Sequence, residues 1–142
     1  CIQLLKKSKY RVILDTPAGV NSDIFMHVIK YSDYVIIPFQ YDTFSIDMTG
    51  RYSRSLRLLE NRFPELHRTL VYIPNMVKTR INHSFDLASR KEYDGDKEFF
   101  YGGIKTPCIP LHACIQKINT VMIAPEELAC VSPCFEFLTS VI

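Results

Sequence analysis

The stretch YVIIPFQYDTFSIDMTGRYSRSLRLLENRFPELHRTLVYIP, residues 34–74, decides the fold class of this chain. It begins and ends with a six-residue apolar run, at 34–39 and 69–74, and neither run alternates apolar with polar residues as a half-exposed strand does. Between the runs, four residues recur at helical intervals: Tyr52, Leu56, Leu59 and Phe63. This pattern predicts a strand, an amphipathic helix and a second strand, with both strands buried on two faces.

The ends of the predicted helix can also be read from the sequence. Ser45 is a candidate N-cap, and Asp47 follows it as a carboxylate that favours the first turn. Pro64 cannot continue a helix, so we expect the helix to end near Arg62.

A second unit of the same kind precedes this stretch. Residues 10–14, YRVIL, predict a buried strand that ends at Asp15. Asn21 or Ser22 can cap the helix that follows, whose inward positions would be Phe25, Val28, Ile29 and Ser32. Strand, helix and strand in about 30 residues is the usual size of a right-handed parallel crossover.

The remaining third of the chain is less regular. Residues 82–103 show no clear period, with a helix predicted near 85–93, and IKTPCIP at 104–110 predicts a fourth strand. Two helices are predicted after it, near 112–122 and 126–141. Strands that alternate with helices indicate an α/β fold, a parallel sheet with helices on both faces, and we expect 1–142 to form a single unit.

The amino-acid composition excludes several classes of protein. The chain has 142 residues, of which 47% are hydrophobic and 23% charged, and this excludes a disordered chain. The net charge of +2 does not indicate a strongly basic nucleic-acid binder. No apolar stretch reaches the ~18–20 residues of a membrane span. Five cysteines, an odd number, favour the reducing cytoplasm over a disulfide-stapled secreted domain.

The carboxyl ends of parallel strands meet at one edge of a sheet, where ligands bind in such folds. The residues that follow the predicted strands should gather there: Asp15, Gly19, Gln40, Asn75 and Pro110. A carboxylate that ends a strand can hold Mg²⁺ directly or through water, and a glycine four residues later lets a backbone N–H approach a phosphate. An ordinary strand-to-helix turn uses the same residue types, so these residues alone leave both interpretations open.

Three ordered segments carry a family resemblance: YRVILDTPAGV at 10–20, SDYVIIPFQYDTFSIDMTG at 32–50 and LVYIPNMVKTR at 70–80. Together they resemble the ParA/MinD-type ATPases, a branch of the P-loop nucleotide hydrolases that partition plasmids and chromosomes or place division sites. The resemblance implies ATP and Mg²⁺ as cofactors. It also implies a homodimer that forms over ATP, non-specific DNA binding and a ParB-like partner protein.

The resemblance also assigns roles to single residues. The run DTPAG is similar to the family's Walker B and switch II segment, which implies that Asp15 orients Mg²⁺ through water and that Thr16 lies at the nucleotide. Gly19 would contact the γ-phosphate or the attacking water. Asn75 would select adenine, and Pro110 would lie near the base.

The family's phosphate loop, KGGxGKT, does not occur in this sequence. The run Gly102-Gly103-Ile104-Lys105-Thr106 is similar, but it lacks a glycine directly before Lys105 and leads into a proline, so we interpret it as a chance likeness. We therefore expect the chain to be the C-terminal part of a longer ATPase, inactive alone. Because the phosphate-loop strand lies inside the family's sheet, we also expect an open strand edge and self-association or low stability.

The main functional hypothesis is an ATP-binding, ATP-hydrolysing protein that acts in partitioning plasmid, chromosome or mobile-element DNA, including conjugative elements. Two alternatives stay open. One is a non-catalytic interaction module that keeps the same sheet. The other is a related superfamily member, either an ATP-dependent synthase or a metal-cluster carrier.

Two residue groups carry secondary hypotheses. The arginines Arg51, Arg54 and Arg57 could bind DNA phosphates, although a solvated helix face explains them more simply. The cluster of possible metal ligands is Cys108, His112, Cys114, Cys130 and Cys134. Its spacings do not match a standard zinc or iron–sulfur signature, which favours core packing for the cysteines.

Overall fold

A computed structural model describes residues 9–16, 23–78, 93–94, 100–111, 129 and 131–141. The described elements are α1 Asp23–Tyr31, β1 Tyr34–Phe39, α2 Thr43–Arg62, β2 Thr69–Pro74, β3 Ile104–Lys105 and α3 Ser132–Val141. Within these residues, no helix is long and apolar enough to cross a membrane.

The three strands form one parallel sheet in the order β1-β2-β3. Six residue pairs join β1 to β2, from Tyr34 opposite Thr69 to Phe39 opposite Pro74. β3 pairs with β2 through two residues. The predicted strands at 34–39 and 69–74 and the helix between them are confirmed with the same bounds for both strands. The fold class, an α/β fold with a parallel sheet, is therefore confirmed.

One face of the sheet is covered by α1 and α2. The odd-numbered residues of β1 and the even-numbered residues of β2 point toward these helices, as the period of a strand requires. The core on this face consists of Phe25, Ile29, Ile37, Phe39, Ile46, Leu56, Leu70, Tyr72 and Phe100. It includes Phe25 and Ile29, two of the inward positions predicted for α1.

The opposite face of β2 is also buried. Val71 and Ile73 point away from α1 and α2, yet both are buried. The hydroxyl of Tyr34 donates to the carbonyl of Val141 at 2.9 Å, which places the end of α3 against this face. Helices therefore cover both faces, as predicted.

Tyr72 and Ser53 join β2 to α2 inside the core. Tyr72 is completely buried, and its hydroxyl lies 2.7 Å from that of Ser53, which also donates to the carbonyl of Thr49 at 2.8 Å. On the other side of the ring, Gly103 packs so closely that a Cβ there would lie 2.6 Å from a Tyr72 ring carbon. The ring is held between the helix and the start of β3.

The N-cap of α2 is Asp42, so the prediction of Ser45 is wrong. The Asp42 carboxylate accepts the N–H of Ser45 at 2.9 Å, and the Ser45 hydroxyl accepts the N–H of Gln40 at 2.8 Å. The Asp42 carboxylate, three residues upstream, caps the helix by accepting the N–H of Ser45. The Ser45 hydroxyl instead accepts a hydrogen bond from the residue that follows β1. Asp47 lies beyond the first turn and pairs with Arg51 at 2.8 Å.

The strand predicted at 10–14 is not formed. Residues 11–16 have no regular structure, and Val12, Ile13 and Leu14 are exposed, Ile13 by 88%. A strand needs a hydrogen-bonded neighbour, and no described strand lies beside this segment or on the outer side of β1. The right-handed crossover predicted between this segment and β1 is absent for the same reason.

The predicted strand at 104–110 is shorter than expected. Only Ile104–Lys105 is paired as a strand, followed by an isolated bridge between Val77 and Pro110. Two prolines, Pro107 and Pro110, lack the N–H that a continuous ladder uses. The last helix is described from Ser132, and the predicted helices near 85–93 and 112–122 lie outside the described residues, except for Tyr93.

Gly103→Ala should destabilise the fold strongly. The new Cβ would lie 2.6 Å from the Tyr72 ring and 2.8 Å from the Leu70 carbonyl oxygen, and both residues are buried. We expect a loss of about 1–3 kcal/mol in the free energy of unfolding, measured by urea denaturation. Gly102→Ala is the control, because its Cβ would meet nothing within 4 Å and only its φ of +71° opposes alanine. An equal loss for both variants would contradict the steric explanation.

Stability should fall at alkaline pH because of buried phenols. Burial, and secondarily the Tyr72 phenol, raises the pKa of Tyr52 to about 12 from 10.0, and burial also raises the pKa of Tyr72. The folded state therefore holds these protons more tightly than the unfolded state, so stability present below pH 10 is lost as the pH rises toward 12. Urea midpoints at pH 9, 10 and 11 should decline, and the decline should be shallower in Tyr52→Phe. An unchanged pH slope in that variant would rule Tyr52 out as a source.

Candidate functional site

The ends of β1 and β2 meet at the carboxyl edge of the sheet. The N–H of Asn75 donates to the carbonyl of Phe39 at 2.7 Å, so the ladder continues one residue beyond β2. The side-chain amide of Gln40 lies 3.2 Å from the sulfur of Met76. Gln40 and Asn75, predicted to converge, therefore lie at the same edge.

Asn75 is oriented by a local hydrogen bond. Its side-chain oxygen accepts the N–H of Met76 at 2.9 Å, and Met76 has a φ of 54°, in the left-handed region. This hydrogen bond distinguishes the side-chain oxygen of Asn75 from the side-chain nitrogen, and the NH₂ group keeps both of its N–H donors. A methionine in this backbone conformation is uncommon, and such outliers are concentrated at binding sites.

The segment after β3 completes the edge. The N–H of Val77 donates to the carbonyl of Ile109 at 3.0 Å, and the N–H of Leu111 donates back to Val77 at 2.9 Å. Pro110 is consequently held directly opposite Val77, two residues from Asn75. The structure thus brings together Gln40, Asn75 and Pro110 from three separate segments.

A cavity of about 250 Å³ opens at this edge. Its polar part is a cluster in which Asp94 accepts the hydroxyl of Tyr41 at 2.5 Å and pairs with the ammonium of Lys105 at 2.5 Å. The full lining is Tyr41, Pro74, Val77, Asp94, Lys105, Thr106, Pro107 and Cys108. The cavity therefore lies immediately beside the Asn75–Met76 turn.

Asp15 does not join this group in the described part of the chain. Its side chain is exposed, and no hydrogen bond or ion pair connects it to Gln40, Asn75 or Pro110. Thr16 is half-buried, and Gly19 lies outside the described residues. The roles assigned to Asp15, Thr16 and Gly19 by the resemblance stay predictions.

The run that is similar to a phosphate loop has a structural role. Gly103 packs against the ring of Tyr72, Ile104–Lys105 is strand β3, and residues 106–109 have no helical structure. A phosphate loop must open into a helix whose N-terminal amides face the anion. This run does not have that geometry.

The arginines of α2 are divided among different contacts. Arg51 pairs with Asp47 at 2.8 Å, and the guanidinium of Arg57 lies 5.2 Å from the ring centre of Tyr101. Arg54 is exposed and forms no ion pair with any described residue. Residues 51, 54 and 57 are spaced by three, so successive members are neighbours on the helix surface, and DNA binding by these three arginines stays a prediction.

Arg68 has a structural role. Its guanidinium donates to the carbonyls of Ile29, Lys30, Glu65 and His67 at 2.6–3.1 Å. Two of these carbonyls belong to the last turn of α1, whose unpaired acceptors need such donors. Arg68 therefore ties the end of α1 to the start of β2.

The described cysteines differ in environment. Cys134 is completely buried beside the Thr106 hydroxyl at 3.6 Å, as expected for a small core residue, whereas Cys108 is exposed, so core packing is wrong for it. Cys114, Cys130 and His112 lie outside the described residues. Among the residues described, no group of three potential metal ligands occurs.

Four residues at this edge were not predicted as site residues from the sequence: Tyr41, Met76, Asp94 and Lys105. Lys105 ends β3 and Tyr41 follows the end of β1 by two residues, positions that could have marked both as site residues. The approach of Asp94 could not have been predicted, because residues 82–103 show no period that places them against the sheet. The conformation of Met76 has no sequence signal, since glycine or asparagine is the usual residue there.

Substitutions at Met76 should reveal its backbone strain. Met76→Ile places a β-branched residue at positive φ and should lower the free energy of unfolding by about 1–2 kcal/mol. Met76→Asn, which tolerates this conformation, should be at least as stable as the natural chain. Urea denaturation of the three proteins measures this order, and an equally stable isoleucine variant would show that the turn is free to relax.

Comparison with known proteins identifies the fold. No protein-family model and no curated protein sequence matches this chain. A solved structure does match: McdA from Cyanothece, a variant in complex with ATP, with a TM-score of 0.63 and 20% sequence identity. The alignment covers 82% of this chain and 45% of the McdA chain, so this chain spans less than half of the McdA length. The likeness shows that the chain has the α/β fold of this ATP-bound protein, in agreement with the ParA/MinD-type resemblance.

Proposed function

We propose that this chain is an adenine-nucleotide-binding part of a ParA/MinD-type ATPase, and that its carboxyl edge holds the base. The observation that carries the proposal is the oriented side chain of Asn75 where the ends of β1 and β2 meet the segment after β3, beside a cavity of about 250 Å³. The similarity in fold to an ATP complex supports it.

Asn75 has the hydrogen-bonding groups that adenine requires. Adenine presents an amino donor beside a ring-nitrogen acceptor, and an asparagine amide offers the complementary acceptor and donors. The bond from the Met76 N–H to the Asn75 oxygen leaves that oxygen one further lone pair and fixes which side of the amide donates. Guanine presents a carbonyl and a ring N–H at the equivalent edge, so a fixed amide discriminates between the two bases.

The phosphate end is assigned through Asp15, Thr16 and Gly19. In this proposal Asp15 would hold Mg²⁺ through water, Thr16 would lie at the nucleotide, and Gly19 would contact the γ-phosphate or the attacking water. Bound Mg²⁺ would neutralise charge on the phosphate oxygens during transfer. The sequence contains no phosphate loop, so we expect the chain alone to bind the base end weakly and the triphosphate without high affinity.

At the cellular level we propose the role of a cytoplasmic ParA-like protein. It would dimerise over ATP and act in partitioning plasmid, chromosome or mobile-element DNA, with a ParB-like partner. Arg54 is the DNA contact that the structure leaves most available, since Arg51 and Arg57 have partners within the chain. The fold shared with McdA supports this role only through the family resemblance.

A second candidate function is a non-catalytic interaction module. The observation in its favour is the exposure of Asp15 at the end of an apolar segment that is not part of the sheet. Such a module would retain the sheet and the core but would not discriminate between nucleobases.

Nucleoside titration of the ¹⁵N-labelled chain distinguishes the two functions. Millimolar adenosine should shift the amide resonances of residues 75–77 and 105–111, whereas guanosine should shift them much less. Asn75→Ala should weaken adenosine binding about tenfold, because it removes the donor and the acceptor that read the base. Calorimetry should detect no micromolar binding of Mg·ATP to the same chain.

Asn61→Ala is the matched control, because Asn61 is an exposed asparagine near the end of α2, far in sequence from the edge. It should leave adenosine binding unchanged. Equal shifts with both nucleosides, or no shifts at the edge, would overturn base recognition and favour the interaction module. Micromolar Mg·ATP binding would instead refute the need for a separate phosphate loop.

A further inference from the structure

Three polar side chains from separate segments meet in the cavity at the carboxyl edge. Tyr41 follows β1, Lys105 ends β3, and Asp94 lies between β2 and β3 in the sequence. The hydroxyl of Tyr41 and the ammonium of Lys105 both contact the same oxygen of the Asp94 carboxylate, Oδ1, at 2.5 Å each. Two donors that are anchored at the ends of strands therefore hold this carboxylate in place.

The second oxygen of the Asp94 carboxylate, Oδ2, accepts no hydrogen bond from any residue that the structure describes. An ionised carboxylate has about four lone-pair sites, two on each oxygen. The Asp94 side chain lines the cavity and is 39% exposed, so a ligand that enters the cavity can reach it. Asp94 thus offers two acceptor sites to a ligand that brings hydrogen-bond donors.

The charges in the cavity favour a neutral donor. The ammonium of Lys105 lies against the Asp94 carboxylate, and the cavity lining contains no further charged side chain. A cationic ligand would have to compete with Lys105 for the carboxylate, and an anionic ligand would be repelled by it. Hydroxyl groups donate to a carboxylate in charge-assisted bonds, which are roughly twice as strong as bonds between neutral groups.

The cavity lies where the sugar of a bound nucleoside would be. Pro74 and Val77 line it, and these two residues directly flank the Asn75–Met76 turn. Ribose is joined covalently to the base and carries two neighbouring hydroxyls, at the 2′ and 3′ positions. In dinucleotide-binding α/β folds, an acidic side chain accepts a hydrogen bond from the ribose 2′-hydroxyl. A base held at Asn75 would bring the same hydroxyls to Asp94.

We propose that Asp94 binds the ribose of the nucleotide, and that its Oδ2 accepts both the 2′- and the 3′-hydroxyl. The site consequently selects ribonucleotides over deoxyribonucleotides. This inference rests on the proposed function, because it requires the base at Asn75. Tyr41 and Lys105 are positioning residues, since they hold Oδ1 and leave Oδ2 to the sugar.

Titration of the ¹⁵N-labelled chain with three adenine nucleosides tests the selection of ribose. Adenosine should bind about tenfold more tightly than either 2′-deoxyadenosine or 3′-deoxyadenosine, because each deoxynucleoside lacks one hydrogen bond to a charged acceptor. All three nucleosides should shift the amide resonances of residues 75–77, since all three carry the same base.

Asp94→Asn should remove this preference. The donors of Tyr41 and Lys105 would hold the amide oxygen, so an NH₂ group would replace Oδ2 and the charged acceptor would be lost. The three nucleosides should then bind within about twofold of one another. Tyr41→Phe should reduce the preference partly, because Asp94 keeps its charge but loses one of its two holding contacts. A Tyr41 with only a structural role would lower the affinity for all three nucleosides equally and leave their ratio unchanged.

Asp33→Asn is the matched control, since Asp33 is an exposed aspartate that precedes β1 at the opposite end of the sheet. It should keep the natural preference for adenosine, and amide spectra establish that each variant is folded. Equal binding of the three nucleosides to the natural chain, or a full preference in Asp94→Asn, would overturn ribose recognition while base recognition stands. If no adenine nucleoside shifts residues 75–77, the proposed function fails and this inference fails with it.

Discussion

The parallel ladder between β1 and β2 is the constraint on which the rest of the structure depends. Its six residue pairs fix which residues of each strand face α1 and α2 and which face α3. A slip of one residue would move Ile37, Phe39 and Tyr72 from the core to the opposite face. The same ladder aligns the carboxyl ends of the strands. The core and the candidate site are thus consequences of one register.

Tyr72 connects the β1–β2 ladder to the elements packed around it. Its ring packs between α2, through the Ser53 hydroxyl, and the start of β3, through Gly103, and it contacts Phe100 edge-on at 5.1 Å. A fully buried phenol that meets a helix, a glycine and an aromatic ring cannot shift without disturbing all three. Because Gly103 directly precedes β3, this packing also positions the segment that reaches Pro110. The candidate site therefore depends on a core residue that it does not contain.

The carboxyl end of β1 is a fixed part of the candidate site. At the carboxyl end of β1, backbone groups are already satisfied, by Asn75 and Ser45, so the side chains there are held in place and suit specific recognition. The loop before α2 contributes to this region, since it carries Tyr41.

The sequence by itself determined β1, α2 and β2, because long apolar runs and helical spacing depend only on neighbouring residues. It also predicted that Gln40, Asn75 and Pro110 converge, since parallel strands align their ends whatever their side chains. Tertiary structure decided the rest. Residues 10–14 form no strand because an apolar run becomes a strand only beside a hydrogen-bonded partner strand. Asp42 replaces Ser45 as the N-cap of α2 because the Ser45 hydroxyl already accepts the N–H of Gln40 at the end of β1. Asp94 contacts Tyr41, 53 positions earlier, and Lys105, 11 positions later. A local sequence pattern cannot predict contacts between residues so far apart in the chain.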